Sequence, residues 1–142
     1  GIQAHAFVNG VNLEDARAML AAHPLLVTFN GSQFDLPLIR ARFPDLCFNH
    51  IHIDLRFVLH RLGLRGGLKR IEIATGLARS ERTQGLSGWD AVRLWHEYQR
   101  GHTEALDLLL EYNREDVVNL QPLMQLAWER LSRRLAGAEE SG

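Results

Sequence analysis

The chain opens on Gly1-Ile2-Gln3-Ala4-His5-Ala6-Phe7-Val8, where apolar and polar residues alternate with the period of two that predicts a strand. Asn12, followed by Glu14 and Asp15, marks a helix start; Leu13, Ala16, Met19 and Leu20 supply its apolar stripe, and Pro24 ends it. Leu25-Leu26-Val27-Thr28-Phe29 is a continuous apolar run, which predicts a strand covered on both faces. Asn30-Gly31-Ser32 turns the chain into a second helix reaching about Phe43. Pro37 locates its start. Beginning at Ser32 would carry the proline past the first turn, at a cost of up to about 3 kcal/mol, whereas beginning near Asp35 leaves it where no N–H is needed.

From Asn49 to Leu55 the alternation returns, with Ile51, Ile53 and Leu55 on one face and His50, His52 and Asp54 on the other. A helix follows to Leu62, closed by Gly63, and another runs from about Gly67 to Thr75, stopped by Gly76. The polar segment from Ala78 to Leu86 predicts a mobile loop. Ser87 with Asp90 opens the next helix, which carries Trp89, Val92, Trp95 and Tyr98 at core spacing and ends at Gly101. Thr103 opens a helix to about Tyr112. Asn113 with Asp116 then reads as a fresh cap on a final helix that Pro122 should kink. The order of strands and helices predicts an α/β domain over residues 1–135, with helices covering a sheet and a flexible tail at 136–142.

Composition adds bounds. A chain of 142 residues is long enough to bury about two-thirds of its unfolded surface, and 46% apolar with 23% charged residues is ordinary for a globular domain. The single cysteine, Cys47, excludes an internal disulfide, fits a reducing, cytoplasmic setting and is expected to be buried. No stretch reaches the roughly 18 apolar residues of a membrane span, and the N-terminus lacks a basic flank with a hydrophobic run. Since Gly1 begins mid-pattern, we expect strands upstream. The net charge is −1, yet Arg56 to Arg82 holds seven cations against two anions, either a basic stretch suited to a phosphate backbone or a solvated helix face; Lys69 and Arg70, with Arg65 and Arg79 nearby, are its candidate phosphate contacts.

Two carboxylates stand at structural transitions. Asp35 follows the strand Leu25–Phe29, beyond whose C-terminal end open α/β sheets place ligands, and Asp116 lies four residues after Tyr112. Phosphodiester hydrolysis on two divalent ions needs several carboxylates from separate elements, because magnesium takes hard oxygen ligands. Each acid alone is equally explained as a helix cap.

Together, Thr28-Phe29-Asn30-Gly31-Ser32-Gln33-Phe34-Asp35-Leu36-Pro37-Leu38-Ile39 and Tyr112-Asn113-Arg114-Glu115-Asp116-Val117-Val118-Asn119-Leu120 resemble the second and third motifs of the RNase H-like 3′–5′ exonucleases of the DEDD class, tyrosine branch. His52-Ile53-Asp54-Leu55 and Gly67-Leu68-Lys69-Arg70-Ile71-Glu72 resemble the strand and helix carried between them. The resemblance implies an RNase H-like fold with a mixed sheet flanked by helices. It also implies Asp35 and Asp116 as ligands of a two-ion Mg2+ (or Mn2+) site, with Tyr112 positioning the attacking water. Asn30 and Phe34 would sit beside the terminal nucleotide of a single-stranded DNA or RNA 3′ end. The first motif of that family, Asp-x-Glu, is absent, and Glu14 with Asp15 lack its spacing. The expectation is therefore a domain truncated at its N-terminal strands and inactive by itself; the alternative is a non-catalytic nucleic-acid-binding or scaffolding module.

His50, His52 and Asp54 on one strand face also offer a zinc ligand pair, though no further His or Cys is spaced to complete the set, and Asp54 equally suits a helix cap. Trp89, Trp95 and Trp128 can stack bases in principle, but the spacing of the first two predicts core packing.

Overall fold

The computed structural model describes residues 1–140, with side chains through residue 138. A single 3-10 turn, Leu13–Asp15, leads into α1 (Ala16–Ala22); then come β1 (Leu25–Thr28), α2 (Asp35–Arg42) and β2 (Ile51–Asp54). Five helices complete the order: α3 (Leu55–Arg61), α4 (Leu68–Thr75), α5 (Gly88–Gln99), α6 (Thr103–Val118) and α7 (Leu120–Glu140). β1 and β2 pair in parallel, from Leu25 opposite Ile51 to Thr28 opposite Asp54, with α2 in the crossover. Among the described residues the sheet is this parallel pair alone. The α/β class expected from the sequence is the class observed.

The main core lies between the sheet and three helices. Leu55 and Leu59 of α3, Ile71 of α4, and Leu120 and Leu123 of α7 are buried together, with Val27 and Ile53 of the strands packed against them. A second cluster joins α5 to α6 through Leu94, Ala105 and Leu109. Burial of each leucine is worth on the order of 1.5–3 kcal/mol, so these two clusters dominate the apolar contribution to stability. No helix among the described residues is long and apolar enough to cross a membrane.

Local signals place several boundaries where the chemistry demands. α2 begins at Asp35, which puts Pro37 in its first turn. Ser87 and Asp90 form a reciprocal capping box at α5, and Gly76 and Gly101 end α4 and α5 at φ +75° and +101°, which only glycine adopts without strain.

Several expectations are overturned. Residues 1–8 form no strand: their alternation finds no ladder partner, and the segment is held instead by Asn12, whose side chain accepts from Val8 N at 2.7 Å and donates to Ala6 O at 3.0 Å. β1 is half-buried rather than covered on both faces, and Leu25 is exposed. The fresh cap expected at Asn113 is not a boundary. α6 runs through it to Val118, and α7 starts at Leu120 with Pro122 in its first turn, where the ring costs nothing and no kink is needed. Trp89 is 85% exposed and Val92 is exposed too, because α5 turns Leu94, with Ala91, Trp95 and Tyr98, toward α6 instead. Cys47 is exposed, not core filler. Of the tail expected at 136–142, residues 136–140 are helical and residues 141–142 lie outside the described residues.

The turn after β1 leaves no room for a side chain at Gly31. A Cβ on Gly31 would lie 2.5 Å from the Thr28 Cβ, inside any real contact, while Gly31 N donates to Thr28 Oγ1 at 3.1 Å. Gly31→Ala is expected to destabilise the chain by about 1–3 kcal/mol, read as a lowered urea midpoint at unchanged slope.

Candidate active site

Asp35 stands at the head of α2, and its position is set by a carboxylate outside its own motif. Asp54, at the end of β2, caps α3 by accepting from Arg56 N at 3.2 Å. The same carboxylate accepts from Asn30 N at 2.7 Å, Ser32 N at 3.2 Å and Ser32 Oγ at 2.6 Å, which closes the turn leading to Asp35. Asn30 adopts φ +61°, a left-handed conformation that asparagine tolerates better than most residues. Its side-chain oxygen, with that of Gln33, is held by Arg56 Nη1 at 3.0 and 3.3 Å. Burial alone would raise the Asp54 carboxyl; the bonds from the Ser32 hydroxyl and the three amides outweigh it and hold the group below the ordinary aspartate range.

Asp35 behaves oppositely. Its carboxylate accepts no hydrogen bond among the described residues, and its carboxyl is pushed up, first by desolvation and then by the negative charges of Asp54 and Asp116. Asp35 nonetheless keeps more than a third of its surface open to solvent. The charge of Asp116 therefore acts on a carboxyl that solvent still reaches.

Asp116 comes to that field from α6. Tyr112 and Asp116 lie four residues apart on one continuous helix and so share a face. Asp116 occupies the last turn, where the helix dipole disfavours an acid, so the capping explanation does not apply to it. Two cations compensate: Lys69 Nζ meets Asp116 Oδ1 at 3.2 Å, and Arg79 Nη2 bonds the same oxygen. Both cations also lie over the buried Tyr112 ring, Lys69 Nζ at 4.4 Å and Arg79 Cζ at 5.3 Å from its centroid. The Tyr112 hydroxyl has no hydrogen-bond partner among the described residues. Arg79 is buried and doubly bonded to buried Glu72, Nε to Oε2 at 2.6 Å and Nη2 to Oε1 at 2.7 Å; these bonds, ahead of those to Asp116, keep it protonated against the cost of burial.

The segment 78–86 is not loose, as its polarity predicts, but tied to α6. Ser80 N donates to Glu115 Oε1 at 2.8 Å, Ser80 Oγ to Glu111 Oε1 at 2.7 Å, Thr83 to Glu115, and Arg82 to Glu111. Thr83 is fully buried. Desolvation would raise the Glu115 carboxyl, but the bonds from Thr83 and Ser80 and the charge of Arg79 win and lower it.

Of the residues picked out in the sequence, Asp116, Tyr112 and Lys69 meet, and Asp35 is linked to them through the charge of Asp116 acting on its carboxyl. Phe34, 63% exposed, adjoins Asp35, and Asn30 lies in the turn with its amide engaged by Arg56. Arg70 does not join them: it is exposed, its stem lies against Gly66, and it forms no ion pair or hydrogen bond among the described residues. His50 Nε2 bonds Leu20 O at 2.6 Å and His52 Nε2 bonds Thr28 Oγ1 at 2.8 Å, and among the described residues no group of three His, Cys, Asp or Glu stands so as to hold a zinc ion. The pairing of Arg79 with Glu72 is not legible in the sequence, since seven residues and a helix end separate them. Glu111 and Glu115, one position ahead of Tyr112 and Asp116, are the legible sign that α6 carries a second acidic stripe.

Magnesium would find suitable hard oxygens in Asp35 and Asp116, and a cation there would relieve the crowding of like charge at Asp35. The number of donors falls short of a two-ion cluster: Asp54 is saturated by hydrogen bonds, and no three His, Cys, Asp or Glu groups among the described residues stand so as to hold a metal ion. Residues 3–128, most of the chain, match the family described as RNase_H superfamily (RNase_H_2). No curated protein and no solved structure matches the chain.

The two aspartates carry opposite pH signatures. Asp35, raised in the folded state, costs stability above its folded pKa and not below the ordinary aspartate pKa; Asp35→Asn should raise Tm at pH 7 by on the order of 2 °C, with the gain vanishing in acid. Asp54, lowered in the folded state, contributes above the ordinary pKa and loses that contribution as pH falls through the folded one. Asp54→Ala should cost about 2–4 kcal/mol at pH 7 and progressively less below pH ~4, measured by denaturation across pH.

Proposed function

This chain belongs to the RNase H superfamily, a membership that points to nuclease-type chemistry on nucleic acid, and we propose that it carries the site of a metal-dependent 3′–5′ exonuclease acting on single-stranded ends. The observation that supports this most is Asp116 four residues after Tyr112 on α6, with its charge acting on the Asp35 carboxyl at the head of α2. In this reading Asp35 and Asp116 hold a divalent ion, which, when bound, supplies a more acidic water and neutralises charge on the scissile phosphate. The chain's own residues do the rest. Tyr112 offers a hydroxyl with no internal partner, able to orient that water; Lys69 supplies positive charge for a phosphate; exposed Phe34 offers a face on which the terminal base stacks. Asp54 and Arg56 keep the turn before Asp35 in place.

A second reading has its own support. Asp116 is already neutralised by Lys69 and Arg79, as in a module that binds nucleic acid and has lost the chemistry. Two carboxylates also give a divalent ion few ligands, so turnover by this chain alone is expected to be weak and to rise when a strand bearing two further acids, spaced Asp-x-Glu, is supplied in cis.

The readings separate on 5′-labelled single-stranded DNA and RNA. The exonuclease reading expects ladders shortening from the 3′ end with Mn2+ or Mg2+, abolished by chelator and reduced at least 100-fold by Asp116→Asn at unchanged circular dichroism. Shortening indifferent to chelator and to Asp116 sinks it. Oligonucleotide binding that survives Asp116→Asn, with no cleavage even in the extended chain, establishes the binding module instead.

A further inference from the structure

Residues Leu55 to Ile71 contain five cations, Arg56, Arg61, Arg65, Lys69 and Arg70, and no anion. Two of them serve the site already described, Arg56 at the turn after β1 and Lys69 at Asp116. Arg61, Arg65 and Arg70 are exposed and form no ion pair among the described residues. The fold brings more charge to them. Leu120, Leu123 and Ala127 make the buried stripe of α7, and the same spacing of three and four continues past the core as Arg130 and Arg134. Both are exposed, and Arg134 Nη1 donates to Arg61 O at 3.4 Å, which seats the far half of α7 against the end of α3. His60 Nε2 meets Gly66 O at 3.3 Å and the Arg70 stem lies against Gly66, so the connection from α3 to α4 folds back onto the same end. Satisfying a terminal carbonyl of α3 accounts for Arg134 alone. Glu129, the one acid between Leu120 and Ala138, lies on the far side of α7 and accepts from Gln125 Nε2 at 3.2 Å.

Arg61, Arg65, Arg70, Arg130 and Arg134 thus line one rim without an acid among them, in a chain whose net charge is −1. Their mutual repulsion is relieved only by an anionic partner, and five planar guanidinium forks match phosphate oxygens better than they match water. We propose that this rim holds the phosphate backbone of a single-stranded nucleic acid and leads it to the candidate site. The hand-over is at the first turn of α4, where Arg70 turns back to Gly66 while its neighbour Lys69 reaches Asp116. A strand gripped here is held several nucleotides away from the end that occupies the site, through contacts that carry no sequence information. The inference rests on the nucleic-acid partner of the proposed function, and not on its chemistry.

Fluorescence anisotropy of 5′-labelled single strands on the whole chain in EDTA tests the rim without metal or cleavage. Replacing Arg65, Arg70 and Arg130 together by Gln should weaken binding of a strand of about twelve nucleotides roughly tenfold or more at about 50 mM salt. The slope of log K against log salt should fall by about 2, at ~0.7 per arginine, and Arg65→Gln alone should lower it by about 0.7. A strand of about three nucleotides, too short to reach from the site to the rim, should lose less than about twofold. A charge-matched control, with Arg40, Arg100 and Arg114 replaced by Gln, should bind as the parent chain does. Equal weakening in the two triple variants reduces the effect to net charge and overturns the rim, as does undiminished binding in the first. Polyglutamate that displaces the strand as well as an unlabelled strand does, or phosphatidylserine vesicles that do so, assigns the rim to an acidic protein or a membrane and overturns the nucleic-acid partner. Binding that depends on these arginines, without trimming that depends on Asp116, leaves the rim standing and sinks the exonuclease alone.

Discussion

The Asp54 carboxylate is the constraint on which the rest of the site depends. One side chain ends β2, caps α3 and fastens the turn that follows β1, and it does so with four hydrogen bonds donated by three residues. Each donor would otherwise be a polar group without a partner at a strand end, so the carboxylate resolves four local requirements with one charge. The clamp holds the turn that contains the left-handed backbone at Asn30 and the close approach of Gly31 to Thr28. Through it the parallel pairing of β1 with β2 is converted into a fixed exit direction for α2, and so into a fixed place for Asp35.

Asp35, Asp54 and Asp116 also illustrate how one residue type is given three states by its surroundings. Asp54 is saturated with donors, Asp116 is neutralised by cations, and Asp35 alone retains unspent acceptor capacity under the charge of the other two. A structural ion network has no use for the third condition, which lowers stability and returns nothing to packing. Such a cost is commonly found where a ligand is to be bound.

Much of this is legible in the sequence. Pro37 allows α2 only one economical start, and Ser87 with Asp90 leaves little freedom to α5, because both signals act within a single turn. Asp54 as a cap was likewise within reach, from its place between an alternating run and an apolar helix. What failed were features decided by partners distant in sequence. Asn113 with Asp116 has the local form of a cap, yet the acid is retained at a helix C-terminus by Lys69 and Arg79, which no window around it contains. The polar segment 78–86 resembles free loop because its hydroxyls and amides are matched to Glu111 and Glu115, some thirty residues on. Alternation in residues 1–8 specifies a strand only when a neighbour supplies the other half of the ladder, and α5 offers two apolar stripes between which packing alone decides.

The continuity of α6 binds these arrangements to a single rotational phase. Glu111, Tyr112, Glu115 and Asp116 project from one rigid rod whose other anchor is the Leu94–Ala105–Leu109 cluster near its start. Each residue added to or removed from a helix swings everything beyond it by about 100°. An insertion or deletion between Ala105 and Glu111 would therefore turn both stripes away from their partners at once, however conservative the residue. Length variation tolerated by this fold must fall in the connections outside that rod, such as the turn after α5, while the segment from Ala105 to Asp116 must be inherited at constant length.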